Sequence, residues 1–192
     1  MSDQTALKRE SGGHSRAGNA MERSRKALLD GARQAIAEKG ISGTSMVDVA
    51  DFGQVARATL YNHFRSKEEL WTALILDELE RVSALFRAEK AFEAALKVLA
   101  ADIGSNPMLR AIARDDPATL ARLMRVDQSP VWGQIQARFG TLAKEQKVSD
   151  SAAVDLAFRW LLSQVAYPVA PELLPAAAAM IARIAKLPAV LF

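Results

Sequence analysis

Cysteine is absent, and only two histidines, His14 and His63, occur among the 192 residues. Disulfides and thiolate metal sites are thereby excluded, and the two imidazoles stand too far apart in sequence to suggest a local metal pair. No apolar run approaches the roughly 20 residues that a membrane span needs. The opening "MSDQTALKRESGGHSRAGNA" also lacks the apolar stretch of a signal peptide, so a cytoplasmic location and no membrane partner are expected. No nucleophile–base arrangement, metal cluster or phosphate loop is visible, so an enzyme is the weakest reading and no cofactor is expected. A strong imbalance of charge is missing too. The net charge of +3 permits a polyanionic partner without demanding one, so any claim on nucleic acid must rest on where particular cations sit.

Half of the residues are hydrophobic, enough to bury a real core. Strand-like alternation is lacking over any useful length and no internal repeat appears, whereas apolar residues recur at helical spacing almost throughout. The fold class expected is all-α. Residues 1–20 mix Gly, Ser, Asn and charge without periodicity and read as a disordered, mildly basic arm carrying Lys8, Arg9 and Arg16. From Met21 a helix follows, with Leu28, Leu29, Ala32, Ala35 and Ile36 on one face and Gly40 as a left-handed cap. Ser45 with Asp48 forms a capping box for a very short helix that ends at Gly53. Another short helix carries Val55, Leu60 and Phe64 inward. Ser66 with Glu69 is a second capping box, starting a long helix near Lys67.

Further on, Phe92 to Ile103 is spaced as a helix face. Asn106-Pro107 and Asp116-Pro117 each place a capping side chain before a proline at the first helical position. Val131, Ile135, Phe139 and Leu142 mark the next helix, Val154 to Val165 the one after, and Ala177 to Ile184 the last.

Two short helices joined by a tight turn, the second rich in side chains able to bond bases and phosphates, form a helix-turn-helix. Arg57, Ala58, Thr59 and Asn62 alternate with the inward Val55 and Leu60, and so would face the major groove. Arg57 suits a guanine edge, and Ala58 or Thr59 a thymine methyl. Tyr61, His63 and Lys67 suit phosphates, which fix register and carry no sequence information.

Residues 25–76 resemble the N-terminal domain of the TetR family of transcriptional regulators. The shared features are a first helix ending in Gly40, Thr44-Ser45 before the second helix, "TLYNHF" from Thr59 to Phe64, and "SKEEL" from Ser66 to Leu70. The resemblance implies a DNA-binding domain at 21–67 and an effector-binding and dimerisation domain at 68–192. It places Thr44, Tyr61, His63 and Lys67 at the DNA backbone and Arg57, Ala58, Thr59 and Asn62 at the bases, and Ser45 and Gln54 complete the expected DNA-binding set. It further implies a homodimer on a palindromic operator of double-stranded DNA, acting as a repressor released by a small-molecule effector. One departure stands in the turn: the family's Gly-Val-Ser is replaced by Gln54-Val55-Ala56, with glycine one place earlier at Gly53. Either Gly53 takes over the turn, or the Gln54 side chain supplies a substitute bond. The alternative function is a helical ligand-binding or scaffold protein whose altered turn has ended DNA recognition.

The expected dimer surface lies on the last two helices, at Val154, Phe158, Leu161, Leu162, Val165, Ala177, Met180, Ile181 and Ile184. The effector-binding residues are not legible, because scattered arginines and aspartates in the C-terminal half neutralise one another.

Overall fold

The computed structural model of the chain describes residues 4–116, 118, 120–121 and 130–185, with side chains described from Gly18 onward except at positions 130 and 131. The described residues form helices and turns and no strand, as the all-α reading expects. Helix α1 spans Gln4–Gly43, α2 Met46–Phe52, α3 Arg57–His63 and α4 Lys67–Ala88. Then come α5 (Phe92–Ser105), α6 (Pro107–Asp115), α7 (Pro130–Glu145), α8 (Ser151–Ala166) and α9 (Leu174–Ile184).

Helix α1 begins well before the expected start at Met21, so its path runs through the stretch read as a disordered arm; no proline interrupts it. The cations of that arm belong to residues whose side chains lie outside those described. Gly40 does break the helix, but not as the left-handed cap expected. Its φ of 71° is paired with a ψ of 166°, and one more helical turn follows to Gly43. That backbone conformation is essentially confined to glycine.

The α2 capping box forms as expected. Ser45 Oγ accepts from the Asp48 amide at 3.1 Å, and the Asp48 carboxylate accepts from the Ser45 amide at 2.8 Å. Bonding to Lys39, then to Ser45, holds the Asp48 carboxyl far below the usual carboxylate range. The second box differs from its expectation. Ser66 Oγ accepts from the Glu69 amide at 3.2 Å, but the Glu69 carboxylate reaches back to the Arg65 amide at 2.8 Å, one residue before the cap. Asn106 caps α6 as expected, its Oδ1 accepting from the amides of Met108 and Leu109. The start expected at Asp116-Pro117 lies at Pro117, outside the described residues.

Two hydrophobic clusters form the interior. The first joins Leu28, Leu29, Ala32 and Ile36 of α1 to Val49, Leu60, Phe64, Leu70 and Leu74, and includes Met108 and Ile112 of α6. The second holds Phe86, Phe92, Phe139 and Phe158, with ring centroids 5.8 to 6.4 Å apart where they meet, beside Leu96, Leu99, Leu142, Leu161 and Ala178. Helix α4 contributes to both, through Leu70 and Leu74 at one end and Phe86 at the other.

Between them runs an ionic seam. Arg33 on α1 bonds Asp77 and Glu78 on α4, each at 2.5 Å, and Asp30 at 2.8 Å. Arg81 bonds Glu78 and grips both oxygens of Asp102 on α5 at 2.8 and 2.7 Å. Burial opposes the charge on Arg33, but the bonds to Asp77 and Glu78 outweigh it and its pKa rises. For Arg81 the bond to Asp102 dominates, and the pKa rises more strongly.

Candidate nucleic-acid interface

The turn between α2 and α3 is built by hydrogen bonds that its sequence does not advertise. The Val55 amide donates to the Ala50 carbonyl at 2.9 Å and the Gln54 amide to the Asp51 carbonyl at 3.1 Å. These two bonds define a Schellman motif whose left-handed position is Gln54, at φ 52°. Neither route expected for the altered turn is therefore taken. Gly53 stays right-handed at φ −73°, and no hydrogen bond engages the Gln54 side chain.

Gly53 has a different task, set by packing. A Cβ placed there would lie 2.8 Å from the Ala27 carbonyl oxygen, and one on Gly31 would lie 2.4 Å from the Gly53 nitrogen. Helix α1 and the end of α2 thus cross backbone against backbone. A readable signal existed in Gly31, since a glycine inside a helix costs about 1 kcal/mol against alanine and so wants a packing reason.

Ala56 starts α3 with no side-chain cap. From there the helix divides cleanly. Leu60 and Phe64 are buried, Val55 is half-buried against the first cluster, and Arg57, Ala58, Tyr61 and Asn62 are exposed, with Thr59 half-exposed between them. The residues expected at the bases and Tyr61 are thereby brought together on one outward face. The Arg57 guanidinium is 3.9 Å from Asp51, an exposed pairing that leaves it free to move. Gln54 is exposed at the edge of this face. Lys67 opens α4 with its ammonium 5.5 Å from the Trp71 ring centroid, and Ser45 is exposed at the start of α2.

Thr44 does not join them. It is 1% exposed and donates its hydroxyl to the Gly40 carbonyl at 2.7 Å, so its side chain closes the α1 break and has no path to a DNA backbone. His63 is half-buried, and its Nε2 lies 2.7 Å from Ser24 Oγ on α1, a partner the sequence did not suggest. Arg25, one residue on, lies 5.6 Å from the centroid of the Phe64 ring.

The expected dimer residues are also sorted by burial. Phe158 and Leu161 are each 4% exposed and belong to the second cluster, because their side of α8 faces α5 and α7. They are interior residues and not surface ones. Val154, Leu162, Val165, Ala177 and Ile181 are half-buried, while Met180 and Ile184 are exposed. Leu156, Tyr167 and Leu173 are exposed as well. The connection between α8 and α9 is pinned by Gln164, fully buried, whose Oε1 accepts from the Val169 amide at 2.8 Å.

A capped short helix, a Schellman turn and a second short helix with an exposed polar face make this a helix-turn-helix protein whose described residues form helices and turns and no strand. Comparison with known proteins places matches on this segment and on the fold. Residues 28–74 match the model described as "Bacterial regulatory proteins, tetR family". The HTH-type transcriptional regulator UidR of Escherichia coli K12 is 40% identical over 60 residues, a span covering 31% of this chain and 31% of UidR. The fold extends further. A TetR family transcription regulator from Marinobacter aquaeolei VT8 superposes with a TM-score of 0.58 at 18% identity, over 84% of this chain and 95% of that one. The TetR family repressor AlkX from Dietzia sp. gives 0.57 at 22% identity, over 84% and 95%. The sequence match to the TetR family of bacterial regulatory proteins thus lies in residues 28–74, the segment that carries α2, α3 and their turn, and the chain spans about a third of the length of the curated relative it matches.

Proposed function

We propose that the protein is a homodimeric, DNA-binding transcriptional regulator, a repressor whose α3 helices enter the major groove of a palindromic operator and are withdrawn by a small-molecule effector. The observation that carries this reading is the outward face of α3. Arg57, Ala58, Thr59, Tyr61 and Asn62 share it without engaging the protein's own core, directly beyond a turn that keeps a left-handed residue despite losing its glycine. Arg57 and Asn62 suit base edges, Tyr61, Lys67 and Ser45 the phosphates. In this reading the C-terminal helices supply the dimer surface, with Met180 and Ile184 exposed on α9. An effector acts only through unequal affinity for the two arrangements of the reading heads.

The reading is tested by titrating the protein into labelled duplex at rising salt. Affinity should fall linearly on a log–log plot as phosphate contacts release counterions. Arg57→Ala should weaken the preferred sequence by about 1 to 3 kcal/mol while leaving binding to random duplex nearly unchanged. Binding indifferent to both salt and Arg57 would refute it.

A further inference from the structure

Ser24 and His63 form a hydrogen bond whose proton count has a consequence for DNA binding. The Ser24 hydroxyl lies 2.9 Å from the Met21 carbonyl and 2.7 Å from His63 Nε2. It has one proton, and a carbonyl can only accept, so a hydroxyl bonded to Met21 has only its lone pairs left for the imidazole. The arrangement in which Ser24 keeps its bond to Met21 is the one in which the ring donates from Nε2. Its other nitrogen, Nδ1, has no partner among the described residues. Since no buried side-chain nitrogen or oxygen among them lacks a partner, Nδ1 reaches solvent.

We propose that Ser24 is a positioning residue that holds neutral His63 in the Nε2-protonated form, so that His63 can donate to a DNA phosphate only after taking up a second proton at Nδ1. A neutral ring held this way presents a lone pair at Nδ1, which a phosphate oxygen repels. The imidazolium presents N–H, and its bond to the phosphate is charge-assisted. Binding of DNA is therefore coupled to uptake of one proton per protomer, and affinity rises as pH falls. This rests on the DNA-binding reading above.

Other groups around the ring leave the phosphate as the new partner. On α1 the charged side chains flanking Ser24 are Glu22, Arg23, Arg25 and Lys26. On α2 they are Asp48, bound by Lys39, and Asp51, beside Arg57. On α3 Arg57 and Tyr61 precede the ring, and Arg65 in the linker and Lys67, Glu68 and Glu69 at the start of α4 follow it. Glu69 is engaged by the Arg65 amide, and no carboxylate hydrogen-bonds the imidazole.

Two measurements test this separately. Nitrogen-detected NMR of the free protein, with His14→Gln used to assign the only other imidazole, should show neutral His63 protonated at Nε2. An Nδ1-protonated ring overturns the assignment. Anisotropy titrations of a selected duplex between about pH 8 and about pH 5 should show about tenfold tightening in the wild type. His63→Gln should flatten the profile. Ser24→Ala should flatten it as well, by freeing Nε2 to accept and Nδ1 to donate in the neutral ring, while Ser24→Thr should restore it. A Ser24→Ala protein that is weaker by the same factor at every pH reduces Ser24 to a structural residue and overturns the proposal. Failure of the wild type to bind any duplex overturns the DNA reading instead, and the NMR result still decides the tautomer.

Discussion

Gln54 occupies a backbone conformation that glycine adopts without strain, and for a residue with a Cβ this costs about 1 to 2 kcal/mol. Glycine gives back about 0.5 to 1 kcal/mol through the greater freedom of its unfolded chain. Gln54→Gly should therefore raise stability by about 0.5 to 1 kcal/mol, and Ala56→Ser, which adds the missing cap of α3, by about 1 kcal/mol. Urea denaturation of each variant checks this; no gain in either would mean that the turn carries no strain. Gly53 should behave in the opposite way. Its Cβ would press on the Ala27 carbonyl at 2.8 Å, backbone that cannot swing aside, so Gly53→Ala should cost about 1 to 3 kcal/mol in the same assay. The glycine beside the turn is thus needed for helix crossing, and the position that prefers glycine holds glutamine. Sequence spacing shows that a glycine is there but cannot tell which neighbouring atom requires it.

At the scale of elements, the capping boxes and the ionic seam make separable predictions. Asp48 is depressed in the folded state, so its contribution is full above the ordinary carboxylate value of 3.8 and is lost as pH falls from there towards the depressed value. Asp48→Asn should accordingly be less stable than the wild type at neutral pH, and the gap should close in acid, as followed by circular dichroism across a pH series. Arg33 ties α1 to α4 through Asp77 and Glu78 and also bonds Asp30 on its own helix, with its side chain 23% exposed, whereas Arg159 makes one exposed pair with Asp155 on its own helix. Arg33→Met should cost about 1 to 3 kcal/mol and Arg159→Met less than about 0.5 kcal/mol in chemical denaturation. Helix positions beyond Met21 were largely legible, because capping side chains and apolar periodicity are local signals. The Asn106-Pro107 start of α6 and the buried Leu60 and Phe64 are examples. Links between distant elements were not legible: the Arg33 seam, the Ser24–His63 pair and the burial of Thr44 depend on which helices meet. Nor did periodicity separate the core side of α8 from its outer side, since an apolar stripe wide enough for both reads as one.

For the whole molecule, α4 joins two cores and α6 inserts Met108 and Ile112 into the first, so the helix-turn-helix is mechanically continuous with the C-terminal helices. Exposed apolar residues on the last two helices are Leu156 on α8 and Met180 and Ile184 on α9. Charge introduced on α9, as in Met180→Glu with Ile184→Glu, should convert the proposed dimer to monomers in sedimentation velocity while leaving helicity unchanged, because both side chains are exposed in the single chain. A dimer places two recognition helices one duplex turn or more apart, which translates protein symmetry into operator symmetry. Selection of bound duplexes from a random pool, followed by sequencing, tests that claim most directly. The expected result is enrichment of a two-fold symmetric sequence whose half-site preference relaxes at one position in Arg57→Ala. Enrichment of no sequence, or of one without symmetry that Arg57→Ala leaves unchanged, would contradict it.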